Sequence, residues 1–317
     1  MARSSTSVQR LHGSIPALIT PMKQGKVDFA AFGRLVEWQI DSGSHGLVPC
    51  GTTGETPTLT MDEHIKLIRA CVEAADGRVP VIAGTGSNNT EKAVELARAA
   101  EKSGADAILV VTPYYNKPTP EGIYQHYKAI NSACGLPIIL YNVPVRTGIE
   151  ISVETVTRLA TLSRVVGIKD ASVDLSRPLA IRRALGPDFI QLSGEDATVG
   201  AYLGQGGHGC ISVTANVAPA LCAELHNSWE AGERVLFELY RDWLLTLHKN
   251  IFIETSPAPA KYCLSKMGFC RDELRLPLVP VSVASRKVLD KTLREIGIDR
   301  LGVPVGRAKV KKKTKKK

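Results

Sequence analysis

VPVIAGTGSNNTEKAVELARAAEKSGADAILVVT, residues 79–112, is the stretch on which the fold turns. It opens with one apolar run, VPVIAG at 79–84, and closes with another, AILVVT at 107–112. Both are rich in β-branched residues and have the length of strands. Between them, TEKAVELARAAEKSG places its apolar residues three and four apart, the repeat of a helix with one buried face. Thr90 stands where a helix cap is needed. Strand, helix and strand in this order make a βαβ unit. Strands that are apolar throughout belong to a parallel sheet covered on both faces.

The alternation continues outward on both sides. Upstream lie IPALIT at 15–20 and GLVPC at 46–50. Downstream lie PIILYN at 137–142, RVVGIK at 164–169, DFIQLS at 188–193 and GCISVT at 209–214. FAAFGRLVEWQIDSG, TMDEHIKLIRACVEAAD and EGIYQHYKAINSAC are amphipathic segments between them, and Asp62 and Glu63 suit the first turn of the second helix. Eight βα units with no second domain's composition favour an α/β fold of the (β/α)8 type, a TIM barrel, over an open doubly wound sheet. The barrel is assigned to residues 11–230. After the eighth unit only helical patterns remain, at 215–270 and 283–297, and the first of these segments holds the barrel's last helix. Residues 231–300 are read as a C-terminal helical extension, with Pro277 and Pro280 keeping 271–282 a connector.

The 317 residues are 44% hydrophobic, enough for a large core. The net charge of +9 comes from the end of the chain, where RAKVKKKTKKK carries eight positive charges. The rest holds 32 basic and 31 acidic residues. Residues 301–317 are therefore expected to be a basic, disordered tail. The near-neutral body argues against a specific nucleic-acid partner. No run of eighteen apolar residues suggests a membrane span, and the N-terminus lacks the apolar segment of a secretory signal, so a cytoplasmic location is expected. Seven cysteines with no CxxC pair read as buried thiols in a reducing compartment.

In such a barrel the chemistry sits at the C-terminal ends of the strands. RVVGIK ends on Lys169, followed by Asp170. An ammonium at the end of an apolar run is costly unless paired or put to use. Burial favours the neutral amine, which attacks a ketone or aldehyde to form a Schiff base. The alternative is a lysine paired to Asp170. GTTGET, Gly51 to Thr56, can hold a carboxylate with its hydroxyls and N–H groups, or serve only as a βα turn. TPYYNKP carries Tyr114 and Tyr115, and YNVPVRTG carries Tyr141 and Arg146 in a proline-constrained loop where an arginine can grip a carboxylate. Each of these is also open to a surface or packing role. His208, among glycines, reads as incidental, and Asp170 as a support for its loop. Lysine, tyrosines, threonines and an arginine on one face imply carbonyl chemistry through an imine.

GTTGE, VVTPYYNKP, YNVPVRTG, VVGIKDAS and GGHGCISVTAN together closely resemble the dihydrodipicolinate synthase family, within the pyruvate-dependent class I lyases and aldolases. The resemblance covers about residues 11–297. It implies condensation of pyruvate with L-aspartate 4-semialdehyde to 4-hydroxy-tetrahydrodipicolinate, the first committed step toward diaminopimelate and lysine. By the same resemblance, Lys169 forms the Schiff base and Tyr141 is the neighbouring acid and base. Thr53 links Tyr141 to Tyr115, which reaches in from a second subunit. Thr52 and Thr53 hold the pyruvate carboxylate, Arg146 holds that of the aldehyde, and Gly194 and Ile211 line the cavity. No metal or organic cofactor is implied. The implied assembly is a homo-oligomer, a tetramer built from dimers that share Tyr115. A lysine-inhibition cleft found in some members would map to Thr56, Pro57, Met61, His64, Asn88, Lys92 and Tyr114.

Two departures stand out. Lysine-sensitive members have glutamate where this chain has Lys92, and a positive charge there repels a ligand's α-amine, so weak or absent inhibition by lysine is expected. Ser256 stands where asparagine is usual, and its place in the extension suggests a packing or interface role. Competing readings are a related aldolase acting on a sugar-derived 2-oxo acid or 4-hydroxy-2-oxoglutarate, and a binding protein on a barrel that has lost its chemistry. Arg146 argues against the first; Lys169, Tyr141, Thr53 and Tyr115 together argue against the second.

Overall fold

The structure, a computed structural model, describes residues 11–298; the basic tail expected at 301–317 lies outside the described residues. The parallel sheet comprises β1 (Gly13–Pro16), β4 (Ile82–Gly84), β5 (Ala107–Val111), β6 (Ile138–Asn142), β7 (Val165–Asp170), β8 (Ile190–Ser193) and β9 (Gly209–Ser212). A small antiparallel hairpin, β2 (Met22–Lys23) with β3 (Lys26–Val27), follows β1. Strand order in the main sheet is β1-β9-β8-β7-β6-β5-β4, every pair parallel. Two single bridges close it, Ala17 with Val48 and Leu47 with Val81. The expected GLVPC strand is thus the eighth stave, but it makes bridges rather than a ladder. Pro49 has no N–H to donate, and Cys50 takes φ +55°, outside strand geometry.

Eight barrel positions are followed by helices. Those outside the sheet are α1 (Phe29–Asp41), α2 (Met61–Ala75), α3 (Thr90–Lys102), α4 (Pro120–Ala133), the single turn α5 (Pro144–Thr147), α6 (Val153–Leu159), α7 (Arg177–Leu185), α8 (Val199–Gly204) and α9 (Pro219–Glu230). Local signals set their starts. Thr60 and Glu63 cap α2 reciprocally. Thr90 does not cap α3: Asn89 does, accepting from the Lys92 N–H at 3.2 Å. Thr90 is instead the first helical residue, its hydroxyl 2.9 Å from Nδ1 of His126.

Side-chain alternation divides the core in two. Ile15, Val48, Ile82, Leu109, Ile139, Leu192 and Ile211 fill the barrel interior, while Ile108, Val110, Ile138, Leu140 and Ile168 face the helices. Burying each such side chain is worth about 1.5–3 kcal/mol. Beyond the barrel come α10 (Arg234–Asn250), α11 (Ala258–Lys266) and α12 (Val283–Glu295), with no helix between Met267 and Ser282. All seven cysteines are free thiols, six of them buried. Among the described residues no helix is long and apolar enough to cross a membrane.

Candidate active site

Strand alternation decides what Lys169 faces. In β7 the outward residue is Ile168, so Lys169 turns into the barrel and Asp170 out toward the helices. Register sets Lys169 directly beside Tyr141 of β6, and its Nζ lies 4.4 Å from the centre of the Tyr141 ring. Asp170 is therefore not its partner. Asp170 accepts from Arg177 Nε at 2.8 Å, the Ser172 N–H at 2.9 Å and Asn142 Nδ2 at 3.2 Å. Arg177, from α7, also donates to the Ile151 carbonyl at 2.8 Å. This buried cluster braces the loop after β7. Among the described residues no ion pair holds Lys169, which leaves its amine open to a substrate.

A cavity of about 310 Å³ opens over that amine at the C-terminal ends of the strands. Its walls bring together Thr52, Thr53, Tyr141, Arg146, Lys169 and Gly194. Gly194 is glycine for a steric reason: a Cβ there would meet Ala171 Cβ at 2.6 Å and Lys169 Cε at 3.1 Å. Arg146 sits exposed on α5, at the rim. A second chamber of about 210 Å³ shares Thr52, Tyr141, Val143 and Arg146 with the first and extends to Thr56, Pro57 and Tyr114.

Other expected site residues stand elsewhere. Ile211 is buried in the barrel interior and lines neither chamber, so it forms the packing beneath the cavity. Tyr115, 88% exposed at φ +71°, also lines neither chamber of its own chain. Of the proposed cleft positions, His64 is buried and its Nε2 donates to the Gly84 carbonyl at 2.8 Å. Burial, helped by the nearby Lys92 charge, holds its pKa below the ordinary histidine value. Met61 opens α2, Lys92 is exposed on α3, and the Asn88 carbonyl accepts from Asn116 Nδ2 at 2.9 Å. His208 lies just before β9, at the barrel end opposite the cavity. It accepts from the Gln191 N–H at 3.1 Å and donates to the Pro187 carbonyl at 3.1 Å.

A family model described as the dihydrodipicolinate synthetase family matches residues 10–296. The chain belongs to that family. It is 54% identical over 289 residues to the 4-hydroxy-tetrahydrodipicolinate synthase of Bradyrhizobium diazoefficiens, covering 91% of this chain and 98% of that protein. It is 56% identical over 286 residues to the synthase of the same name from Rhodospirillum centenum, covering 90% and 98% respectively. The chloride-inhibited dihydrodipicolinate synthase of Acinetobacter baumannii, solved in complex with pyruvate, superposes with a TM-score of 0.89. It shares 45% identity and covers 91% of this chain and all, 100%, of its own.

In this member of the dihydrodipicolinate synthetase family, two residues without an expected place in the cavity also line it. Ser256, expected to serve packing or an interface, is buried and also lines the cavity, and its Oγ has no partner among the described residues. Its segment has no strand-end pattern, which is why sequence position hid it. Glu195 also lines the cavity, and burial pushes its carboxyl pKa up. It directly follows Gly194, and its place at a strand end was the available signal. Asp196, by contrast, is a brace: it accepts from the Ser212 hydroxyl and from the Val213 N–H at 2.9 Å. Among the described residues no three His, Cys, Asp or Glu side chains converge to hold a metal ion.

Proposed function

We propose that this chain condenses pyruvate with L-aspartate 4-semialdehyde to give 4-hydroxy-tetrahydrodipicolinate. The observation that carries the reading is the Lys169 amine, without an ion pair among the described residues and 4.4 Å from the centre of the Tyr141 ring, in a cavity rimmed by Arg146. In this reading the neutral amine attacks the keto carbon of pyruvate, and the keto oxygen leaves as water with a proton delivered through Tyr141. The iminium draws electrons from the neighbouring methyl group. That carbon loses a proton and becomes an enamine, which adds to the aldehyde carbon. The aldehyde's own amino group then displaces Lys169, closes the ring and regenerates the free amine. No cofactor is required, because the imine is the electron sink.

Thr52 and Thr53 are assigned to the pyruvate carboxylate, and Arg146 to the carboxylate of the aldehyde. Gly194 keeps room for the Lys169 side chain. The exposure of Tyr115 supports its action in a neighbouring subunit's site, relayed to Tyr141 by Thr53. A dimer is then the smallest active unit, and two such dimers form the tetramer. The barrel at 11–230 with its extension at 231–300 works in the cytoplasm. Lys92 supports weak inhibition by lysine at the positions that include Thr56, Pro57, Met61, His64, Asn88 and Tyr114.

Borohydride added with pyruvate tests the core of this reading. Intact and peptide mass should show reduced pyruvate fixed on Lys169, and the adduct should vanish in Lys169→Ala. An adduct that persists in that variant refutes the imine assignment.

A further inference from the structure

Glu55 closes the GTTGE turn, yet none of the steps above uses it. Its side chain is buried, with the residue 2% exposed, and one carboxylate oxygen meets Lys261 Nζ at 2.5 Å. Lys261 belongs to α11 in the helical extension and is 0% exposed. The other oxygen of Glu55 accepts the Arg275 N–H at 3.1 Å. An ion pair buried so completely is weak evidence of stability, since desolvation cancels much of the attraction, so a role in geometry is the better explanation.

The backbone of Glu55 points the same way. It takes φ +58°, in the left-handed region that non-glycine residues seldom occupy. It is the hinge between two single turns, Thr52–Gly54 and Thr56–Thr58. Its N–H donates to the Thr52 carbonyl at 3.1 Å, and its carbonyl accepts from the Thr58 N–H at 3.0 Å. The turn that carries Thr52 and Thr53 therefore hangs on a residue whose side chain is anchored in the extension. A second tether lies beside it. Arg275 donates to both carboxylate oxygens of Glu63, at 2.7 and 2.6 Å, and to the Thr58 carbonyl at 2.7 Å.

We propose that Glu55 and Lys261 are positioning residues for the pyruvate half of the reaction. Their ion pair lets the C-terminal extension hold Thr52 and Thr53 against Tyr141 and Lys169. The inference rests on the reading of those threonines as the groups that grip the pyruvate carboxylate. Arg146 rides on α5, a separate loop that the pair does not touch, so the aldehyde half is independent of it.

The test uses the full chain with Lys261→Met and Glu55→Gln, measured beside Thr53→Val. Lys261→Met should raise KM for pyruvate and slow borohydride trapping on Lys169 by about tenfold or more, while KM for aspartate 4-semialdehyde stays within about twofold. Glu55→Gln should shift the same quantities in the same direction but less, because its amide oxygen still accepts from Lys261. It serves where Lys261→Met does not fold. A folded variant that traps pyruvate at the parent rate, or that loses on both substrates equally, overturns the proposal. If Thr53→Val slows trapping and the ion-pair variants do not, the positioning role alone fails. If Thr53→Val is also silent, the assignment of the threonines fails with it.

Discussion

Gly194→Ala probes the fit around the nucleophile with a single methyl group. The added Cβ would lie 2.6 Å from Ala171 Cβ and 3.1 Å from Lys169 Cε, where ordinary contact begins at 3.4 Å. The first contact must therefore open by about 0.8 Å and the second by about 0.3 Å. The backbone offers little give. The Gly194 N–H is bonded to the Asp170 carbonyl at 2.7 Å, and the Ala171 N–H to the Asn142 carbonyl at 2.9 Å. The Ala171 contact can open only by a shift of backbone next to Lys169, and the second contact opens by displacing the Lys169 chain itself, so both movements carry Nζ away from the pyruvate carbon. Misplacing a reacting atom by up to about 1 Å costs as much as ~100-fold in rate. Overpacking of this kind costs about 1–3 kcal/mol of stability. Rapid mixing with pyruvate, a borohydride quench and intact mass give the trapping rate directly, and a melting curve gives the stability. We expect trapping slowed by ~10–100-fold and a Tm lowered by several degrees. A trapping rate within about twofold of the parent, with an unchanged Tm, would refute the claim that Gly194 holds space for the nucleophile.

Tyr115→Phe should lower kcat by ~10–100-fold while pyruvate is still trapped on Lys169. Mixing Tyr115→Phe chains with Lys169→Ala chains should restore part of the activity, because one site of the mixed pair has both groups; no recovery would place Tyr115 outside the shared site. Half inhibition by lysine should require more than ~1 mM, since Lys92 repels the ligand's α-amine, and Lys92→Glu should lower that concentration. Acid should destabilise the fold through its buried neutral histidines. Burial holds His126 down at about 4 and His226 at about 3, against an ordinary value of 6.5. The unfolded chain takes up these protons first, so their contribution is complete above pH ~6.5 and is lost as pH falls toward the folded values. Each costs about 1.4 kcal/mol per pH unit in that window. Tm should drop steeply from pH 6.5 to 4.5, and His126→Gln should flatten the slope; an unchanged slope would remove His126 from the account.

The repeat of apolar runs and amphipathic segments was enough for the barrel, because period two and period 3.6 are local properties of the chain. Where a neighbour competes, local signals failed. Thr90 and Asn89 are both competent caps, and the choice fell to Asn89 because Thr90 found a partner in His126, on α4. GLVPC has a strand's composition, but Pro49 and the left-handed Cys50 reduce it to bridges. Asp170 looked like a partner for Lys169 from adjacency alone. In a strand, adjacent side chains face opposite ways, and so each found its own surroundings.

The amino-acid sequence by itself determined the fold class and the chemical type of the site, since strand ends in a parallel barrel converge, and Lys169 and Tyr141 stand in the last residues of their strands with Arg146 just beyond one. Tertiary structure alone decided the rest. It brought Ser256 to the cavity wall, joined Lys261 to Glu55 across 206 residues, and set Lys169 beneath Gly194 with no room for a methyl group. Those contacts depend on how barrel and extension dock, and no short-range pattern encodes a distance between segments so far apart in the chain.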